Sequence, residues 1–192
     1  MKISSCFNKS VLSALLLFPI VNCGLFFFSS NVDNWFNIKD FSDIFKQVGL
    51  LVFVALAEEL FFRGLLFREL AFSYKTNLVL VAVIVSLLFG VLHLLNIFSY
   101  ATLHYAIVQS LCAFAISFDL SAIYRKFNSI VPCIVIHALI NITSIGQDGG
   151  LEKLSLNGFE ATMFLIVAIF YLVHGYKLFT DEQFCIDKGE YE

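Results

Sequence analysis

Glu58 and Glu59 stand side by side in a stretch, Val48 to Phe67, whose only other charge is Arg63. A run of that length can cross a bilayer, since about 20 residues at a rise of ~1.5 Å span ~30 Å of hydrocarbon. A carboxylate at such depth costs at least ~2.5 kcal/mol on insertion scales, and a second one beside it adds like-charge repulsion. A pair of this kind is expected to be functional, and the chain must supply partners for it. Residues i and i+4 share a helix face, whereas neighbours are turned by about 100°. Glu59 and Arg63 can therefore form an ion pair that compensates the buried charge. Glu58 points elsewhere, toward a neighbouring helix.

Two further apolar stretches carry candidate partners. Phe89 and His93 are four apart, with Gly90 between them allowing close approach of another backbone. His137 and Asn141 are again four apart and share a face. Taken singly, each has a bland reading: Glu59–Arg63 as a structural clamp, His and Asn as interhelical hydrogen-bonding glue. Taken together, a glutamate pair, a histidine and a His–Asn pair on three separate spans form a convergent polar cluster.

The elements that must position these residues follow from composition. The 192-residue chain is 59% hydrophobic and only 14% charged, against ~45–50% and ~25% in soluble domains. This is the composition of an all-α, polytopic transmembrane helix bundle. The net charge of −3 says nothing about nucleic acid and no basic stripe suggests it, so no nucleic-acid partner is expected. The partner that this composition predicts is membrane lipid. About six spans are predicted: Val11–Phe28, Val48–Phe67 with an amphipathic start near Phe41, Leu78–Leu95, Ala101–Phe118, Ile130–Ile145 and Phe159–Phe179. The first is read as a retained helix, because its 18 apolar residues exceed a signal-peptide core of ~7–15. Pro132 near the start of the fifth is tolerated there. The whole chain, 1–192, reads as one membrane domain, with a core at 48–145 flanked by an extra helix at 11–28 and a last one at 159–179.

Orientation follows the distribution of Lys and Arg. With the N-terminus inside, Lys2, Lys9, Arg68, Lys75, Arg125, Lys126, Lys177 and Lys188 face the cytoplasm, and Lys39, Lys46 and Lys153 face the other side. Both termini are then cytoplasmic. The five cysteines form no C-x-x-C pair and read as small apolar packers. His104 and His174 belong to no motif and are read as structural or interfacial. Trp35, Tyr100, Tyr171 and Tyr176 are interface anchors.

The sequence resembles the CPBP intramembrane proteases, the CAAX-protease and bacteriocin-processing or self-immunity family that includes the eukaryotic type II prenyl-protein endopeptidase. The family motifs E-E-x-x-x-R, F-x-x-x-H and H-x-x-x-N appear in order as Glu58-Glu59-Leu60-Phe61-Phe62-Arg63, Phe89-Gly90-Val91-Leu92-His93 and His137-Ala138-Leu139-Ile140-Asn141. The resemblance implies an endopeptidase working in the membrane on a peptide or membrane-protein substrate, in the cell membrane of a bacterium if the chain is a minimal bacterial-type member. It implies that Glu58 is the general base and that His93 helps to activate and orient the water. His137 and Asn141 would stabilise the oxyanion, and Glu59 and Arg63 would hold the helix and its charges. The family is often classed as metalloprotease. Glu58, His93 and His137 could ligate zinc or another divalent ion beside an open water position, whereas a glutamate-activated water needs no ion, and both alternatives stand. Two other functions compete: a non-catalytic bacteriocin immunity or binding protein, and a proton-coupled transporter using Glu and His as a relay. Counted along the predicted spans, Glu58 lies near mid-depth, His93 nearer the outer side and His137 nearer the inner. Convergence requires tilt or shifted boundaries.

Overall fold

The computed structural model describes residues 41–74, 77–99, 101–142 and 154–180. The expected span Val11–Phe28, the anchors Trp35 and Tyr100, and Cys6, Cys23 and Cys185 lie outside the described residues. Among the described residues every named element is helical, apart from an isolated bridge between Ala101 and Leu154.

The first rod is helical from Phe41 to Ser73: α1 (Phe41–Glu59), a π-helical stretch (Leu60–Phe67) and α2 (Arg68–Ser73). The amphipathic start near Phe41 is where the helix begins. Its end lies beyond the predicted Phe67, and Tyr74 caps it through a backbone bond to the Leu70 carbonyl at 2.8 Å. The π-helical stretch follows directly on the glutamates. Its i→i+5 hydrogen bonding brings residues five apart toward one face, whereas in an α-helix they diverge by about 140°. Phe62 and Phe67 are accordingly both buried, and Leu60 and Leu65 both exposed.

Four more helices follow: α3 (Leu78–Leu94, continued by a 3-10 turn over Leu95–Phe98), α4 (Leu103–Phe127), α5 (Val131–Ile142) and α6 (Gly158–Thr180). Each start has a local cause. The Asn77 Oδ1 accepts from Leu80 N at 3.0 Å, and Thr102 Oγ1 accepts from Tyr105 N at 3.3 Å. Asn157 and Glu160 form a reciprocal capping box, each side chain accepting from the other's backbone N–H at 2.9 Å. Pro132 occupies the first turn of α5, where its missing N–H is not needed. The α4 helix ends at Asn128 in the left-handed region, φ 46°, which asparagine tolerates well. It therefore runs nine residues past the predicted end at Phe118.

Leu78–Phe98, Leu103–Phe127 and Gly158–Thr180 are long and apolar enough to cross a membrane, and Val131–Ile142 is a shorter apolar helix. Large apolar side chains such as Phe53, Phe61, Leu87, Leu92 and Ile169 are exposed on the outside of the bundle, as a hydrocarbon solvent permits. Contacts fix the helix directions. Gly90 meets Ser110 and Asn96 meets Gln109, so α3 and α4 are antiparallel. Cys112 meets Phe164 and Asp119 meets His174, so α4 and α6 are parallel. Glu59 meets His137 and Gly64 meets Ile130, so the first rod and α5 are antiparallel. Gly90 admits the close approach expected of it, since a Cβ there would lie 2.8 Å from the Ser110 carbonyl oxygen and 3.1 Å from Phe114 Cβ. Cys112 and Cys133 are buried free thiols packed among apolar side chains, as read from the sequence. Tyr171 departs from expectation: it is 1% exposed and belongs to the core, while Tyr176 is exposed.

Candidate active site

Arg63 and Glu59 are both fully buried, one turn apart at the junction of α1 and the π-helical stretch. Arg63 Nη1 donates to Glu59 Oε1 at 2.7 Å, as the i, i+4 spacing predicts. The other nitrogen, Nη2, donates to the Ser117 carbonyl oxygen at 2.9 Å and to Ser117 Oγ at 2.8 Å. Phe89 lies under the guanidinium, with Cζ 5.4 Å from the ring centroid. The cation thus has a carboxylate, a backbone oxygen, a hydroxyl and an aromatic face around it, and its burial is compensated.

His137 comes from α5 on the other side. Its Nδ1 lies 2.8 Å from Glu59 Oε1, so that one oxygen receives both Arg63 and His137. An ionised carboxylate can only accept, so Nδ1 carries the proton and Nε2 faces outward from the pair. That Nε2 is 3.5 Å from Glu58 Oε2. The two glutamates, pointing different ways from one helix, thus meet opposite edges of a single imidazole. Their environments differ: the Glu59 side chain is fully buried, whereas that of Glu58 is 33% exposed.

His93 occupies a separate position. Its Nδ1 is bound at 2.8 Å to the Phe89 carbonyl of its own helix, and its ring stacks at a tilt on Phe89, 4.6 Å between centroids. Since a carbonyl only accepts, Nδ1 is again the protonated nitrogen and Nε2 keeps a lone pair. Phe89 also meets His137 at 5.8 Å and Phe62 at 4.8 Å, so it is the wall between the two histidines. His93 is half-buried and makes no hydrogen bond to either glutamate. Asn141 lies one turn beyond His137 on α5, half-buried. Glu58, Glu59, Arg63 and His137 are in direct contact, and His93 adjoins them through Phe89. The depth mismatch counted from the sequence does not keep His137 from the glutamates.

Zinc was a candidate for Glu58, His93 and His137. Among the described residues no group of three His, Cys, Asp or Glu side chains is arranged to hold a metal ion. His93 is turned onto its own backbone, and His137 spends Nδ1 on Glu59. The arrangement does not fit a three-ligand metal centre.

The sequence reading missed Ser117, the anchor of Arg63, because a serine in an apolar span carries no signal of its own. It also missed a buried pair behind the site, Asp119 Oδ1 with His174 Nδ1 at 2.7 Å. Asp119 was legible in principle, as an ionisable residue within an apolar helix, but the span was ended one residue before it. His174, read from the sequence as structural or interfacial, is half-buried in this pair. His104 is exposed in the first turn of α4.

No curated protein and no solved structure matches the chain. The sequence model for the type II CAAX prenyl endopeptidase Rce1-like family matches residues 40–143, more than half of the chain. That stretch runs from the start of α1 to the end of α5 and so contains Glu58, Glu59, Arg63, His93, His137 and Asn141. Together with the apolar helices it marks an integral membrane protein. A match of that extent, enclosing the whole polar cluster, places the chain in the Rce1-like family of type II CAAX prenyl endopeptidases, which are CAAX-type proteases of membranes.

Proposed function

We propose that this protein is an intramembrane endopeptidase whose general base is Glu58. The observation that carries the reading is the 3.5 Å approach of Glu58 to His137 across two helices, next to a neighbouring glutamate whose Oε1 is already engaged by Arg63 and His137. Glu58 accepts a proton from a water, and the resulting nucleophile attacks the scissile carbonyl. The same carboxyl returns the proton to the leaving amine, so the base is regenerated. His93 orients the water through Nε2, the nitrogen left unprotonated by its bond to Phe89. His137 and Asn141 hold the oxyanion. To donate from Nε2 while Nδ1 stays on Glu59, the His137 ring carries both protons, and the two carboxylates beside it balance that charge. Glu59 and Arg63 are positioning residues. In this reading the reaction is glutamate-dependent, and no step requires a metal ion.

The proposed architecture is one membrane domain of six spans with both termini in the cytoplasm. The charge distribution supports it: Arg68, Arg125, Lys126 and Lys177 lie toward the C-terminal ends of parallel helical rods, and hence on one side. The substrate class is a membrane-associated peptide, lipid-modified or of bacteriocin type, in the cell membrane of a bacterium. The physiological role is peptide maturation or self-immunity.

The test compares membrane and secreted peptides from cells expressing the wild type or Glu58→Gln at matched protein levels. Mass spectrometry should find peptide termini present only with the wild type. If none appear and both forms protect cells equally, the protein is a non-catalytic immunity factor.

A further inference from the structure

Ser117 faces Arg63, and Asp119, two residues on and about 200° around α4, faces α6. The Asp119 carboxylate is 1% exposed and accepts from His174 Nδ1 at 2.7 Å. Beside it, α6 is seated so closely that a Cβ on Gly175 would lie 2.9 Å from Asp119 Cα and 3.2 Å from its Oδ1. The family-matched stretch ends at residue 143, so α6 lies wholly outside it. Apolar packing between α4 and α6 resists separation but leaves rotation loosely determined, whereas a short hydrogen bond is directional. A 20° roll of α4 would displace Ser117 Cα by about 0.8 Å on a helix radius of ~2.3 Å. Such a shift is large enough to take Ser117 Oγ out of hydrogen-bond range of Arg63, beyond ~3.2 Å.

We propose that Asp119 and His174 are positioning residues of the active site, through which α6 sets the rotation of α4 and hence the Ser117–Arg63–Glu59–His137 chain. The proposal rests on the protease reading only for its effect on turnover. Its structural half is separate: loosening α6 changes the hydrogen bond between His137 Nδ1 and Glu59.

The experiment uses full-length protein in detergent micelles with ring-15N histidine. Glu59→Gln assigns the His137 Nδ1 proton resonance by shifting it. His174→Phe and Gly175→Ala should each move that resonance upfield, toward a weaker hydrogen bond. Asp119→Asn keeps an oxygen acceptor for His174 and should leave the resonance at the wild-type position. On a peptide whose terminus requires Glu58, the first two variants should lose about tenfold in kcat with KM unchanged, a penalty expected of a small misplacement of catalytic groups. A folded His174→Phe or Gly175→Ala chain whose His137 resonance stays in place overturns the proposal, and either variant alone is decisive if the other does not fold. A shifted resonance in a protein that cleaves nothing refutes the protease reading and leaves the link between α6 and the site intact.

Discussion

Arg63→Met tests whether the buried Glu59 depends on its cation. Arg63 is fully buried and donates to Glu59 Oε1 at 2.7 Å, to the Ser117 carbonyl at 2.9 Å and to Ser117 Oγ at 2.8 Å. Methionine keeps an unbranched chain in the same space and offers no donor. Removing one partner of a buried pair costs about 3–5 kcal/mol, because the remaining charge is left uncompensated. His137 still donates to the same oxygen at 2.8 Å, which puts the expected loss near the lower end, about 3 kcal/mol. For a chain of this size that lowers the unfolding midpoint by about 6–12 °C. Replacing both charges is a different perturbation, since an apolar substitute for a buried pair is often neutral or stabilising. The double variant Glu59→Met/Arg63→Met is expected to be more stable than Arg63→Met alone. Thermal unfolding in micelles followed by far-UV circular dichroism, on the wild type, both single variants and the double, measures the coupling. A single-variant loss below about 1 kcal/mol, or a double-variant loss equal to the sum of the two single losses, would refute the reasoning.

Two further predictions separate scaffold from chemistry. Gly90→Ala places a methyl 2.8 Å from the Ser110 backbone oxygen, so α3 and α4 must part and the protein should lose about 1–3 kcal/mol. The same melting experiment reads it, and an unchanged midpoint would mean that the helices are not held so closely. His93→Gln should leave the midpoint almost unmoved, within about 0.5 kcal/mol, because its one polar contact lies within its own helix. It should nevertheless lower Glu58-dependent cleavage by about 10² or more, and full cleavage in that variant would remove His93 from the reaction.

Much of the site was legible because its residues repeat at i, i+4, which is a property of one helix and needs no tertiary knowledge. Glu59–Arg63 forms as its spacing predicts, and His137 and Asn141 sit one turn apart on α5. What periodicity cannot supply is the partner across the bundle. Hence His137, expected at the oxyanion or as a metal ligand beside Glu58 and His93, proved to join both glutamates, and Ser117 went unnoticed. The error at the end of α4 has a physical cause. An aspartate after an apolar run looks like an exit from the membrane, but Asp119 Oδ1 is paired with His174, 55 residues further along the chain. The burial of Tyr171 was hidden for a related reason: the packing of α6 against α4 takes the ring into the core. The π-helical stretch holds Gly64 but no proline, a signal too common in apolar helices to announce it, and its consequence appears in which residues are buried.

Adjacent glutamates in an apolar helix pose a problem, since both cannot be charged without compensation. Here the compensation is unequal. Glu59 receives a guanidinium and an imidazole on one oxygen and has no exposed side-chain surface. Glu58 has a single ring nitrogen at 3.5 Å, longer than a good hydrogen bond, and a third of its side chain open. Glu59 Oε1 is thus committed to Arg63 and His137, while its buried Oε2 has no hydrogen-bond partner among the described residues; Glu58 is under-bonded and reachable. In the proposed mechanism the two side chains, identical in chemistry, are divided by their surroundings into a structural charge and a reactive one. There the imidazole that faces Glu58 is held in place by Glu59, so the pair must be adjacent for either to do its part.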